Sequence, residues 1–384
     1  MTFSRQSAIL LLQLLCLLVL ATIANAGPDE INSKGASSAK QAGPPVLTIS
    51  AVGDIMPSSS FPSSVYLSTI PDGRLQKTFS GILGNAHIRF GNFEGTIAGD
   101  APCLKACTDP SKCYAFNIPA SYAETLKRAG FNLFSLANNH ISDFGKPGRE
   151  RTVHHLAQSG IACAGTIEKP WDMLYTNGLY VGFAAFAPHK GVANLLDRDA
   201  AASQVRKLKA VCDIVVVSMH GGAEGNGAEH VPRQEEMYLG ENRGDLHAFS
   251  HAMVDAGADL VIGHGPHVVR GMELYKGRLI AYSLGNFFTW ARFNLEGPKG
   301  VAPALTATLA ADGRFITGHL LSFRQPYRGL PKPDPTFAAA KRGSPPLTRG
   351  LSREPPSHLR QRHSLTHHKI NRYQRGEETS NLPS

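Results

Sequence analysis

Ala256-Gly257-Ala258-Asp259-Leu260-Val261-Ile262-Gly263-His264-Gly265-Pro266-His267-Val268 carries the decisive pattern. Gly257 stops the amphipathic run Arg243–Ala256, as a glycine does just past the end of a helix. Leu260–Ile262 is then a short, unbroken apolar run of the kind found in strands buried on both faces. Two histidines follow at once, with Gly265 and Pro266 between them. Helix, buried strand and then polar residues form the repeating unit of an α/β sheet. In such a sheet the loops past the carboxyl ends of parallel strands line one edge.

The same unit recurs along the chain. Val46–Val52, Ile88–Phe90, Phe131–Ala137, Leu179–Phe186, Ile214–Ser218 and Leu279–Leu284 read as further strands. Ser121 with Glu124 predicts a capping box opening a helix that stops at Gly130. Polar groups stand just past the apolar runs: Asp54, Asn92 and Glu94, Asn138-Asn139-His140, His220, His264 and His267, and Asn286. Collected at one edge, imidazole, carboxylate and amide oxygen make a ligand set for Zn, Mn or Fe rather than for Ca or structural zinc. Lys276-Gly277 and Asp312-Gly313 sit between apolar runs as hairpin turns, so the sheets are mixed.

Charge narrows the class of partner. The chain has 384 residues, with 39 Lys and Arg against 30 Asp and Glu, a formal +9. From Arg328 onward there are 11 basic and 4 acidic residues, and residues 27–327 hold 27 and 26. The body is near neutral, so the excess charge is no argument for nucleic acid.

Arg5, the apolar run Ala8–Ile23 and the triplet Ala24-Asn25-Ala26 read as a signal peptide over residues 1–26, with an uncleaved membrane anchor as the alternative. Either way the chain is expected to be exported, periplasmic or extracellular. Residues 27–45 read as a flexible linker, 46–325 as the folded domain and 326–384 as a basic tail without core-forming periodicity. Such a tail is either an arm for an acidic polymer or simply solvated chain. Cys103, Cys107 and Cys113 suggest a local disulfide of unknown pairing, with a zinc site as the competing reading.

Gly53-Asp54-Ile55-Met56, Gly91-Asn92-Phe93-Glu94, Ala137-Asn138-Asn139-His140, the opening stretch and Tyr282-Ser283-Leu284-Gly285-Asn286-Phe287 together resemble the CapA family of poly-γ-glutamate capsule synthesis proteins. That family is similar to calcineurin-like metallophosphoesterases, and the resemblance covers about Val46 to Phe323. It implies a four-layer α/β/β/α sandwich holding one or two divalent ions. It implies metal ligands at Asp54, Glu94, Asn139, His220, His264 and His267, the last ligating or orienting a bound anion. His140, with Asn139, would be catalytic, His140 giving a proton to the leaving group.

Asn92, Glu224, Arg243, Arg270 and Asn286 are the expected substrate contacts. Glu224 and His230 belong to the Gly-rich region that could shape the mouth, and the two arginines could bind an anion. Met56 departs from the phosphoesterase pattern, standing where that pattern has a histidine; a thioether is a poor ligand for Mn or Zn.

Three functions are compatible with these residues. One is an exported capsule protein that binds or processes an anionic polymer or phosphorylated intermediate, alongside membrane-bound capsule synthesis proteins. The second is a general metal-dependent phosphoesterase, and the third a non-catalytic scaffold of the polymer machinery.

Overall fold

A computed structural model describes residues 44–105, 114–343 and the backbone of 351–352. The signal peptide, most of the linker, Cys107, Cys113 and most of the tail lie outside the described residues. Cys103, Cys163 and Cys212 are free thiols. Among the described residues no helix is long and apolar enough to cross a membrane.

Two sheets form the centre. The first is ordered β16-β15-β14-β1-β2-β3-β4, with β13 also paired to β1: β1 is Val46–Met56, β2 Ile88–Phe93, β3 Leu133–Ser135, β4 Ala162–Ala164, β13 Asn286–Thr289, β14 Val301–Ala310, β15 Phe315–Arg324 and β16 Lys332–Pro333. The second is ordered β11-β12-β10-β7-β6-β5, made of β5 (Trp171–Thr176), β6 (Leu179–Phe186), β7 (Ile214–His220), β10 (Leu260–His264), β11 (Met272–Tyr275) and β12 (Arg278–Ala281). A short hairpin, β8 (Met237–Tyr238) and β9 (Glu241–Asn242), stands apart from both. Parallel pairs dominate the middle of each sheet and the Lys276-Gly277 and Asp312-Gly313 hairpins are antiparallel, as their turn residues predict.

Alternation along each strand decides what meets what. In β7, Ile214 and Val216 face the first sheet within the main core, while Val215, Val217 and Met219 face the helices. Phe90 of β2 meets Phe183 of β6 across the sheets at 5.7 Å between ring centroids. Helices α1 (Asp72–Leu83), α2 (Ser121–Arg128) and α3 (Gly145–Gln158) cover the first sheet; Leu75, Phe79 and Leu83 form the buried stripe of α1. Helices α4 (Arg198–Lys209) and α5 (Leu246–Asp255) cover the second, with Val205, Leu208, Phe249 and Met253 in a core of their own. The expected four-layer α/β/β/α sandwich is present.

Three local expectations need correction. Ser121 is the first helical residue, not the cap; Ala120 precedes it and no side chain caps the helix. Helix α5 begins at Leu246 rather than Arg243, because the Asp245 carboxylate accepts a hydrogen bond from the Ala248 amide and fixes the start there. The folded part also runs past residue 325. Lys332–Pro333 adds to β15, and Ala338–Gly343 forms a short helix, α6, that buries Ala339 against Val269 and Val301. Asp334 holds this strap: its carboxylate accepts from Ser322 Oγ at 3.0 Å, Thr336 Oγ1 at 2.7 Å and the Ala338 amide at 2.9 Å.

One crossing positions the site. The run expected as a single strand, Leu279–Leu284, ends at Ala281 in the second sheet, and the chain then passes to β13 in the first. On the way the Leu284 amide donates to the Gly263 carbonyl, and the Gly285 carbonyl accepts from the Asp54 amide at 2.9 Å. These bonds join the carboxyl ends of β10 and β1. Gly53 is obligatory there, since a Cβ would lie 1.9 Å from the Gly285 oxygen. The registers of β1 with β2 and with β13 both shift at Asp54, a bulge that re-aims this side chain.

Candidate metal centre

The first sheet contributes oxygen. Asp54 lies in register with Asn92 on one side and Asn286 on the other, and all three are buried. Asn92 Nδ2 donates to Asp54 Oδ1 and to Glu94 Oε2, each at 2.9 Å, so one amide holds both carboxylates. Asn138 braces Asn92 in turn: its Nδ2 donates to Asn92 Oδ1 at 3.1 Å and to the Phe93 carbonyl at 2.8 Å. Its Oδ1 accepts from the amides of His140 and Ile141.

The second sheet contributes nitrogen. His220 and His264 are register partners at the ends of β7 and β10, on the face turned toward the first sheet. Both are fully buried. His264 Nδ1 approaches Asp54 Oδ1 at 3.4 Å. His267 Nδ1 is 2.9 Å from Asp54 Oδ2 and its Nε2 is 3.6 Å from Glu94 Oε1, so its ring sits between the two carboxylates. One ligand atom from each of Asp54, Glu94 and His267 falls within 4.8 Å of the others. His267 achieves this with φ of +56°, a left-handed conformation costly for a non-glycine residue and a frequent mark of functional sites.

The charges follow from these contacts. Burial raises the Asp54 carboxyl, but the His264 and His267 imidazoles that face it outweigh this and hold the group well below the usual carboxylate range. Burial, and then the Asp54 charge, push Glu94 well above that range. Burial opposes charge on His267, yet Glu94 and Asp54 raise it to about 10. His220 is held well below the usual imidazole range by burial and then by the His189 ring. Neutral imidazole is the form that binds a metal.

The donor set fits a divalent transition cation. Glu94 Oε1, Asn139 Oδ1, and both ring nitrogens of His220 and of His264 are buried without a hydrogen-bond partner. A buried polar atom left unpaired costs about 1–3 kcal/mol, so the unpaired atoms of Glu94 and His264 beside Asp54 and His267 favour a shared ligand.

His140 stands at the margin. Its Nδ1 meets Asp143 Oδ2 at 2.9 Å, Lys105 Nζ meets Asp143 Oδ1 at 3.1 Å, and the Phe116 ring lies 4.4 Å away. Burial lowers His140 while the Asp143 charge acts against that shift.

The expected substrate contacts fare differently. Arg270 is fully buried, with its guanidinium bonded to Glu236 and to the Ala228 and Ala223 carbonyls. Buried and ion-paired in this way, it is out of a substrate's reach and ties down the 223–236 loop. Arg243 is also buried and ion-paired, with Glu224 at 2.8 Å and Glu241 at 3.0 Å. Asn92 is an internal brace, since its amide donates to both carboxylates and its oxygen accepts from Asn138. Asn286 Nδ2 donates to the His267 and Lys299 carbonyls, which holds the His267 turn. Glu224 remains at the site, 3.9 Å from His267 Nε2, whereas His230 is exposed. Met56 is buried core, and its carbonyl accepts from the Trp290 amide.

Sequence alone points to neither His189 nor Asp143, and it places Asn138 at a strand end without a role. His189 lies 5.9 Å from the His220 ring; burial and then the Arg243 charge push it down to about 3. It follows the end of β6 by three residues, the same strand-end signal that marks the other histidines.

The model of the family described as "Bacterial capsule synthesis protein PGA_cap" matches residues 48–290. The chain belongs to this family. Its capsule-protein relatives include the capsule biosynthesis protein CapA of Bacillus anthracis, 29% identical over 261 residues, which cover 63% of this chain and 59% of that protein. A probable polyglutamine synthesis accessory protein of Mycobacterium tuberculosis is 32% identical over 267 residues, 61% of this chain and 64% of that one. The matches thus span less than two thirds of these relatives' own length. Among solved structures, a novel phosphatase of Mycoplasma pneumoniae is similar at 13% identity and TM-score 0.47, over 76% of this chain and 96% of that one. A putative 5'-nucleotidase from Staphylococcus aureus is similar at 15% identity and TM-score 0.43, over 76% and 56%.

Proposed function

We propose that the chain is an exported accessory protein of polyglutamate capsule production that hydrolyses or trims an anionic polymer or a phosphorylated intermediate at a divalent metal centre. The observation that carries the reading is the group of buried, unpartnered ligand atoms around the Asp54 carboxylate. Asp54, Glu94, Asn139, His220 and His264 would hold the ion, and His267, between two carboxylates, would ligate it or orient a bound anion. Mn, Zn and Fe all suit this donor set. When bound, such an ion supplies Lewis-acid polarisation of a phosphoryl or carbonyl oxygen.

The chain's own residues supply the rest. Asn92 fixes the angle between the two carboxylates, and Asn138 fixes Asn92. Asp143 engages Nδ1 of His140, so proton exchange with a leaving group falls to Nε2. Lys105 pairs with the other Asp143 oxygen and lies 3.5 Å from His140 Nδ1. With Arg243 and Arg270 both committed to internal ion pairs, attraction for an anion comes from the ion and His267.

The test is metal analysis of purified full-length chain, with a screen of phosphomonoesters, phosphodiesters and γ-glutamyl oligomers. Metal-dependent turnover lost in His264→Ala is expected. A chain that takes up no transition metal, or turns over unchanged in His264→Ala, overturns the reading. Tight γ-glutamyl polymer binding without turnover would replace hydrolysis with a scaffold role.

A further inference from the structure

The second sheet carries another cluster of ligating side chains, on its helix-covered face rather than the face that holds His220 and His264. His247 and His251 lie one turn apart on α5, which places their imidazoles on one stripe. Their ring centroids are 4.1 Å apart. Glu273, on the edge strand β11, brings Oε1 to 2.5 Å from His251 Nε2. One ligand atom from each of the three lies within 4.8 Å of the other two.

We propose that His247, His251 and Glu273 form a second metal site, for a borderline-soft divalent cation such as Zn²⁺, that clips α5 to β11. Two imidazoles and one carboxylate are a common three-ligand zinc set, with a fourth position left to solvent. The surroundings hold the ligands in place. The Tyr275 ring stacks on His251 at 3.7 Å, and the Tyr282 ring lies parallel to His247 at 6.4 Å. Tyr282 is 3% exposed and its hydroxyl has no hydrogen-bond partner; the Glu273 charge acts on it directly. A phenol there can orient the carboxylate once an ion binds, as outer partners of metal sites do. The buried stripe of α5, Leu246, Phe249, Ser250, Met253 and Val254, leaves both histidines beside the core rather than in it, with their ring nitrogens turned toward Glu273 within ligand reach.

The site is tested by Zn²⁺ titration of chelator-stripped full-length chain in competition with a chromophoric chelator. The wild type is compared with His247→Ala/His251→Ala and with Asp54→Asn/His264→Ala. The double-histidine variant is expected to bind one equivalent fewer than wild type, an equivalent that Asp54→Asn/His264→Ala retains. Glu273→Gln, a change at a half-buried edge position, is expected to weaken that equivalent about tenfold or more. Should the double variant fail to fold, Glu273→Gln and His251→Gln decide the matter by the same readout. Wild-type stoichiometry and affinity in the folded variants would overturn the proposal and leave the cluster as a His–Glu ion pair.

Discussion

The two halves of the candidate metal centre are built on opposite terms. The oxygen half, from β1 and β2, is braced: Asn92 serves two carboxylate oxygens, Asn138 serves Asn92, and Asp54 has histidines against both of its oxygens. The nitrogen half leaves His220 and His264 with no hydrogen-bond partner on either ring nitrogen. The difference follows from charge. An isolated buried carboxylate is far more costly than a buried neutral polar group, so acids need support before any ligand arrives. Stability of the metal-free fold should therefore depend on the oxygen half, and metal retention on both.

The largest effect is expected at Asp54. Asp54→Ala removes the carboxylate that meets His267 and leaves a buried cation with a weaker partner. Breaking a buried pair from one side costs about 3–5 kcal/mol. Glu94, relieved of the Asp54 charge, ionises more readily and offsets part of this loss. Urea unfolding of metal-free protein measures it; a midpoint unchanged from wild type would show that the oxygen half is not what supports the metal-free fold.

Next comes Asn92→Ala, which strips a donor from two buried carboxylates and orphans Asn138 Nδ2 in part. Each unsatisfied group costs about 1–3 kcal/mol, so a loss of about 3 kcal/mol is expected in the same measurement. A bound divalent ion should recover some of it, because the carboxylates then have another partner. Equal destabilisation with and without metal would separate Asn92 from the centre.

Asp334 shows how a carboxylate is held with no histidine against it, by hydrogen bonds and by Arg324 at 3.5 Å. Burial raises it, but hydrogen bonds from Thr336, Ala338 and Ser322 prevail and bring it down to about 2. A carboxyl depressed in the fold stabilises above its unfolded value of 3.8, and that contribution is lost as pH falls through about 2. The difference is worth about 2 kcal/mol at neutral pH. Asp334→Asn should lower stability at pH 7 by that order and make the chain less sensitive to acid between pH 4 and pH 2. A variant whose acid profile matches wild type would show that the strap does not depend on this carboxylate.

These contrasts separate what was legible in sequence from what was not. Buried strands announce themselves by composition, and Asp54, Glu94, His220 and His264 stand where strand-end polar residues must converge. Arg243 and Arg270 were misread because an arginine beside a cleft and one locked inside an ion pair look alike until Glu224 and Glu236 are seen to face them. Asn138 and Asn139 look alike in sequence, and only the turn geometry shows that Asn138 braces Asn92 and the Phe93 carbonyl. The 326–343 strap escaped notice because short alanine contacts and one capping aspartate leave no periodicity.

The smallest change in stability and the sharpest contrast are expected together at His220. His220→Leu removes two buried, unpartnered nitrogens and keeps apolar bulk at the end of β7, beside Ser218 and facing the first sheet. Relief of unsatisfied polar atoms opposes the loss of ring contacts, so metal-free stability should move by less than about 1 kcal/mol in either direction. The same substitution removes a ligand from the proposed shell, so metal content after dialysis should fall sharply while Asn92→Ala, with the larger stability loss, keeps more. Metal content and metal-free stability falling in parallel across Asp54→Ala, Asn92→Ala and His220→Leu would mean that the two halves are one structural unit. Divergence at His220 alone would assign the nitrogen half to binding rather than to the fold.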